Sequence, residues 1–376
     1  MKTKNRIYFF ANFGDWNKVP YGGGEVGNRR TLALLKKGDF EIITIPKYLR
    51  VSNHSFLNLI KLGIRILRNI TYYTKTLLKG RRSHSIVHIA GFYGPMIYFE
   101  YILISIAKLL NYKIIYEMRG GGADVYYKSG SVLYKYFFSE SIKKSHKIFS
   151  QGIENYELLK KIKPNISVFY YPNYVIEGFY PQNYPSKNYE QIRFIYFGRI
   201  SKSKNTDLVI DIFLELCKKY NNILLDIVGN YDDNIYYNQL IDKIKQSKYQ
   251  DKIKLWPACN HEQLKKHLEN KHFYIFPSKE PHEGHSNALT EAMAWGVIPI
   301  ATTQGFNSSV INNNKLIIDD LQADSFIRRI SNIIDSNNTE NISIEVYNRV
   351  KENYTDKIIE KQLINEYNTL FLDYFS

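Results

Sequence analysis

The sequence predicts an α/β protein of two doubly wound domains, and three observations carry that expectation. Short β-branched and aromatic runs alternate with amphipathic stretches along the whole chain, which is the rhythm of parallel strands joined by crossover helices. With 376 residues, 44% of them apolar, the chain is too long for a typical single core and can fill two. Charge also divides it: residues 1–190 carry 29 Lys and Arg against 12 Asp and Glu, a balance of +17, whereas residues 191–376 carry 22 against 24, a balance of −2. The irregular segment from Glu177 to Tyr189, with Pro181 and Pro185, reads as the linker. The expected division is therefore 1–185, 186–354 and a terminal helical stretch over 355–376.

The most informative stretch runs from His272 to Gln304. Phe273 to Phe276 reads as a strand stopped by Pro277. From Ser286 or Asn287, both good N-cap types, the pattern turns helical through Trp295; Gly296 ends it and Val297 to Ala301 is the next strand. In open α/β sheets such a junction is where ligands bind, because loops leave the strands' carboxyl ends and free backbone N–H groups favour anions. Two carboxylates fall there, Glu283 in the loop and Glu291 in the first turns of the helix. Glu291 alone is also ordinary helix chemistry, since a carboxylate near a helix N-terminus gains roughly 0.3–1 kcal/mol. With a phosphate-sized anion at the N–H groups near His285 to Asn287, however, Glu291 is placed for both hydroxyls of a ribose and Glu283 for a sugar end.

The residues Glu283-Gly284, Ser286-Asn287-Ala288-Leu289, Glu291-Ala292-Met293-Ala294 and Gly296, followed by Val297-Ile298-Pro299-Ile300, resemble the signature of glycosyltransferase family 4. That resemblance implies retaining enzymes of the GT-B fold, in which two Rossmann-like domains face a cleft. It also implies a nucleotide-sugar donor in the second domain.

Taken in order, Ile7 to Phe10 is the first strand. It leads through Gly22, Gly23 and Gly24 into a helix ending at Leu35, with Gly38 as its cap and Phe40 to Ile45 as the second strand. The glycine run is a plain turn or a ligand loop; the resemblance implies that it lines the cleft opposite the nucleotide. Residues 56–82 are basic and amphipathic. Phe56, Leu59, Ile60, Ile64, Leu67 and Ile70 recur at helical spacing, and Lys61, Arg65, Arg68, Lys75, Lys79, Arg81 and Arg82 supply charge. This is a surface helix covering the sheet or a helix at an anionic membrane surface. Met96 to Leu110 is expected to be a buried helix too short to span a bilayer. Ser85 to Gly91 is a strand whose His88 is a core residue or the counterpart of a family loop histidine; Ala90 stands where a second His is common. Lys113 to Glu117 is another strand, followed by Arg119 and the Gly120-Gly121-Gly122 run. Many family members carry a His near Arg119 that contacts the donor sugar. An Arg there suits an acceptor phosphate or a donor carboxylate instead. Lys147 to Ser150 and Glu154 to Lys161 complete the first half as strand and helix.

In the second half, Arg193 to Phe197 is a strand followed by Gly198-Arg199 and, five positions on, Lys204. Two cations in a loop are solvated charges unless something recruits them. The resemblance implies that Arg199 and Lys204 clamp the donor diphosphate, with Asn205 where Gly is usual. Leu224 to Gly229 is a strand, with Gly229 where the chain would pass the nucleotide. Ile253 to Trp256 is a short strand near the base, with Pro257 replacing a common Gly. After Gln304 come a strand, Asp319-Asp320, a helix, an Asn-rich loop at 337–341 and terminal helices, which the resemblance returns to the first domain.

Composition narrows the setting. Two cysteines, Cys217 and Cys259, give no disulfide framework, so a reducing cytoplasm is the default, with peripheral membrane attachment open. The basic N-terminus reads on into the first strand without a cleavage-site pattern. No Asp-x-Asp metal site is apparent, and no cofactor is expected beyond a donor of UDP or GDP type. The resemblance implies retaining, metal-independent glycosyl (hexosyl) transfer to a glycan or polyprenyl-diphosphate-linked acceptor, expected here in surface polysaccharide (O-antigen or capsule) synthesis. The alternatives are an epimerase or phosphorylase on the same fold, or a basic nucleic-acid-binding protein; against the last, no recognised nucleic-acid module is found.

Overall fold

The computed structural model describes residues 4–18, 23–47 and 56–372, with only the backbone of 56 and 57. The chain forms two units, Met1–Pro172 with Glu360–Ser376, and Asn173–Ile359. The division thus falls at 172/173 and 359/360 instead of 185/186 and 354/355. The reason lies in what the proline-containing segment touches. Asn173 Nδ2 donates to His285 O at 2.6 Å, and Trp295 Nε1 to Phe179 O at 3.1 Å. Tyr347 OH donates to Pro181 O at 3.0 Å, and Tyr184 OH to Ser343 Oγ at 2.8 Å. Lys187 is buried with its ammonium on Lys271 O, and burial pushes its pKa down to about 7. The expected linker is therefore a strap fastened to the second unit.

The first unit is a parallel sheet in the order β2-β1-β3-β4-β5-β6. Its strands are β1 (Asn5–Ala11), β2 (Phe40–Pro46), β3 (Ser85–Gly91), β4 (Lys113–Met118), β5 (Lys147–Ser150) and β6 (Ser167–Tyr170). Its helices are α1 (Gly23–Leu35), α2 (Phe56–Leu78), α3 (Ile97–Leu109), α4 (Ala123–Ser129), α5 (Val132–Lys144) and α6 (Tyr156–Ile162). The strands are near-continuous apolar runs because both faces of a parallel sheet are covered. Tyr8 and Phe10 point to one face, against Tyr112, Tyr73 and Phe99; Phe9 and His88 stack on the other, beside Phe149 and Tyr367. The segment Met96–Leu110 is half-buried, not buried: Leu103, Ile104 and Ala107 face the core, while Tyr98, Ile102 and Leu109 are exposed.

The second unit repeats the plan with the order β12-β11-β10-β7-β8-β9. Its strands are β7 (Ile192–Phe197), β8 (Ile223–Val228), β9 (Ile253–Trp256), β10 (Phe273–Phe276), β11 (Ile298–Thr302) and β12 (Ile317–Ile318). Helices α7 (Thr206–Lys219), α8 (Asn234–Lys245), α9 (His261–Leu268), α10 (Asn287–Met293), α11 (Asn307–Ile311), α12 (Ala323–Asp335) and α13 (Thr339–Asn353) connect and cover them. A last helix, α14 (Asp356–Leu372), contributes residues 360–372 to the first unit, where Tyr367 and Phe371 pack on Phe40.

From β7 the chain goes to β8 and β9 on one side and returns to β10 on the other. The loops leaving the carboxyl ends of β7 and β10 therefore diverge, which opens a crevice between two strands far apart in sequence. That crevice positions the site below.

Candidate active site

The β7 and β10 exit loops are joined by their backbones, Lys279 N donating to Ser203 O at 3.0 Å. Lys204 Nζ then reaches Glu283 Oε2, and Ser278 Oγ donates to the same oxygen at 2.9 Å. The ammonium also lies 5.3 Å from the centre of the Phe276 ring. Lys204 is followed by Asn205, which takes the N-cap position of α7 in the left-handed conformation at φ +56°. This accounts for Asn standing where the family has Gly, since Asn tolerates that conformation better than other side chains. Arg199 is placed by its main chain, with Tyr196 OH donating to its carbonyl at 2.6 Å and Ile200 N to Asn230 O at 2.8 Å. Its side chain is 63% exposed and its nearest carboxylate among the described residues is that of Asp232, at 3.9 Å.

Ser286 caps α10, its Oγ accepting from Leu289 N at 3.4 Å, and Asn287 opens the helix. One turn along, Glu291 is nearly buried and meets His261 Nε2 at 3.3 Å. His261 sits at the start of α9, its ring centroid 5.2 Å from that of Phe179 of the strap and tilted to it by 59°. His285 is buried, with Nε2 2.6 Å from Thr290 Oγ1 and its ring edge-on to Tyr354. Burial, reinforced by Arg349, drives its pKa down to about 3, so the ring is neutral at physiological pH. Gly284 lies between Glu283 and His285 and is partly exposed. Two glycines are required by close approach. A Cβ at Gly229 would lie 1.9 Å from Gly198 O, and one at Gly305 would lie 1.8 Å from Glu283 O. Gly305 therefore sets the height of the Glu283 loop; its signal in the sequence was only the Gln304-Gly305 pair after a strand.

The residues expected in the first unit sit differently. Gly23 and Gly24 open α1, with Gly24 against the Phe92 ring; Gly22 lies outside the described residues. Arg119 is buried, 2.6 Å from Glu117 Oε1 and donating to Thr31 Oγ1 at 3.0 Å. Glu117 also meets His88 Nε2 at 3.0 Å, and the other nitrogen of that ring meets Tyr367 OH. Burial alone would raise the Glu117 carboxyl, but Arg119 and His88 overturn that and hold it below the usual range. Burial lowers His88 despite Glu117. The guanidinium offered in the sequence to a phosphate or carboxylate is thus matched within the fold, and His88 is a core residue of the same network.

A further positioning group was missed. Glu100, fully buried in α3, accepts from Phe92 N at 2.9 Å, Tyr93 N at 3.2 Å and Tyr116 OH at 2.6 Å, with Lys47 Nζ 3.5 Å away. Tyr93 OH in turn lies 2.6 and 2.8 Å from the carbonyls of Gly120 and Gly121. The loops after β3 and β4 are therefore fixed together. The signal was a lone carboxylate inside an apolar helix.

Residues 183–355 match the family model described as "Glycosyl transferases group 1", so the second unit carries a domain of that family, and every residue of the 283–296 signature falls inside the match. The fold of the whole chain is that of GT-B structures. A sucrose-phosphate synthase from Thermosynechococcus elongatus superposes with a TM-score of 0.76 at 13% identity, over 98% of this chain and 100% of that one. The HepE protein of Anabaena, solved in complex with UDP, gives 0.69 at 10% identity, over 97% and 100%. Among curated proteins, a phosphatidylinositol N-acetylglucosaminyltransferase subunit of Arabidopsis thaliana is 22% identical over 209 residues, 56% of this chain and 45% of its own length. The chain spans less than half the length of the curated relatives it matches.

Proposed function

We propose that the chain is a retaining, metal-independent glycosyltransferase of the hexosyl class, taking a sugar from a UDP or GDP donor to a glycan acceptor. The acceptor is a polyprenyl-diphosphate-linked glycan of surface polysaccharide assembly, O-antigen or capsule. The enzyme works in the cytoplasm, peripheral on the inner face of the cytoplasmic membrane, with no nucleic acid partner. The observation that carries the reading is the meeting of Lys204 with Glu283 at the β7/β10 crevice, with exposed Arg199 on the same loop and Glu291 one turn into α10. Two cations, two carboxylates and a helix start at a sheet's switch point suit a pyrophosphate flanked by a ribose and a sugar.

In the reaction, the bond from the donor's anomeric carbon to the β-phosphate oxygen breaks. A bond from the acceptor hydroxyl oxygen forms on the same face, and the hydroxyl proton passes to the departing phosphate oxygen. Charge grows on that oxygen in the transition state, so Arg199 and Lys204 stabilise it more than they stabilise the bound donor. Glu283 keeps Lys204 in place through Oε2 and reads a donor-sugar hydroxyl with its other oxygen, while Glu291 accepts from the ribose. The UDP held by the Anabaena neighbour supports a uridine donor first.

The test is a thermal-shift screen of UDP, GDP, ADP and CMP sugars, followed by product analysis with a lipid-linked acceptor. One nucleotide class should raise Tm, because a ligand that binds only the folded state stabilises it by mass action. The product should keep the donor's anomeric configuration. No shift with any of the four removes the donor site.

A further inference from the structure

Helix α2 carries three separate longitudinal rows. Ile66, Ile70, Tyr73 and Leu77 turn inward onto the core of the first unit. A second row, Ile60, Ile64, Leu67 and Leu78, recurs at helical spacing yet is between 47% and 65% exposed. Beside it runs an exposed cationic row, Lys61, Arg65 and Arg68 each one residue on from its apolar neighbour, then Lys75, with Lys79 just past the helix end. The sequence contains no Asp or Glu between Glu41 and Glu100 to offset it. The spacing alone had merged the inward and outward apolar residues into one stripe. Helix α3, which packs on both α2 and α5, leaves Tyr98, Ile102 and Leu109 exposed, and α5 leaves Leu133 and Tyr136 exposed.

From these rows we infer that the α2–α3–α5 layer is a docking face for an anionic phospholipid bilayer, with α2 lying in the interface plane and its Ile60–Ile64–Leu67 row inserted among the acyl chains. Long cations flanking an apolar row suit this surface, because their stems cover the apolar boundary while their heads reach lipid phosphates. The same lysines would burden the centre of a protein interface, where charge is depleted. Among the described residues no helix is long and apolar enough to cross a membrane, so α2 lies on it. The inference deepens the lipid-linked acceptor reading and takes its purpose from it, but vesicle binding needs neither donor nor acceptor.

The full chain is sedimented with vesicles of phosphatidylcholine alone and of phosphatidylcholine mixed with phosphatidylglycerol. It should partition into the mixture only. At about 1 kcal/mol per cation, Lys61→Gln with Arg65→Gln lowers the partition coefficient roughly 30-fold. Ile64→Ser with Leu67→Ser lowers it at least about tenfold with every charge kept. A Leu67→Trp variant should gain emission that lipids brominated on the acyl chain quench. Unchanged circular dichroism melting shows that each variant folds. Loss in the charge variant alone, with the apolar variant and the Trp probe unmoved, overturns insertion. Failure to sediment with the mixture, or retention by an unrelated oligonucleotide instead, overturns the membrane face. A chain that partitions but transfers no sugar sinks the proposed function and leaves this inference standing; one that transfers sugar to a soluble acceptor and ignores vesicles does the reverse.

Discussion

Arg119 and Arg199 both follow a strand's carboxyl end and both precede a loop, yet they live in opposite worlds. Arg119 is 7% exposed and locked between Glu117 and Thr31; Arg199 is 63% exposed and lies 3.9 Å from Asp232. The residue two places back on the strand makes the difference. Arg119 directly follows β4, whereas Gly198, at φ +131°, stands between β7 and Arg199. Two places before Arg119 is Glu117, while two places before Arg199 is Phe197. A carboxylate there draws the guanidinium into the fold; a phenyl ring leaves it outside, available to an anion that arrives.

The comparison is broken most violently by Glu117→Ala. Removing one partner of a buried ion pair leaves Arg119 uncompensated, so stability should fall by about 3–5 kcal/mol in urea denaturation. A loss under about 1 kcal/mol would mean Arg119 does not depend on Glu117. Next, Arg199→Ala should cut turnover by about 10²–10³ while stability stays within about 0.5 kcal/mol of the parent; near-normal kinetics would take Arg199 out of the site. Glu291→Ala should weaken a nucleoside diphosphate roughly tenfold to a hundredfold by calorimetry, as for loss of a hydrogen bond to a charged group. The smallest effect sharpens the contrast between charged and neutral burial. His285 has a folded pKa of about 3 against an ordinary 6.5, so below pH 6.5 the unfolded chain takes up its proton first. Stability is therefore lost as pH falls through that window, by ~1.4 kcal/mol per pH unit for this residue. The loss should be shallower by that amount in His285→Gln, and equal slopes would show that His285 is not buried neutral.

Much of the second unit was legible in the sequence because its signals are local. The 272–304 stretch carries its strand, cap and terminating glycine within one window, and the structure brings Lys204 and Glu283 together although 79 positions separate them. Their meeting depends on the return of the chain from β9 to β10, which a strand-helix rhythm implies without fixing. What stayed illegible was pairing at a distance. Nothing near Arg119 announces Thr31, nothing near His88 announces Tyr367, and Gly305 looks like any turn glycine until Glu283 O lies against it. The strap at 177–189 was misplaced for the same reason, since prolines read as a linker while its anchors on Trp295, Ser343 and Tyr347 lie more than a hundred residues on. Strand β6 was not read at all, although at four residues it is as long as β5, β9 and β10; it lies at the edge of its sheet, with a single strand neighbour.

The return of residues 360–372 to the first unit sets an order of events during synthesis. Residues 1–172 leave the ribosome before 173–359, but Phe40, His88 and Lys147 wait for Tyr367, Phe371 and Glu366, which are made after both. The uninterrupted second unit is complete in the nascent chain before the first unit can close, so the unit begun earlier finishes later, and a ribosome stalled after Ile359 would release a first unit in which Phe40, His88 and Lys147 lack their α14 partners.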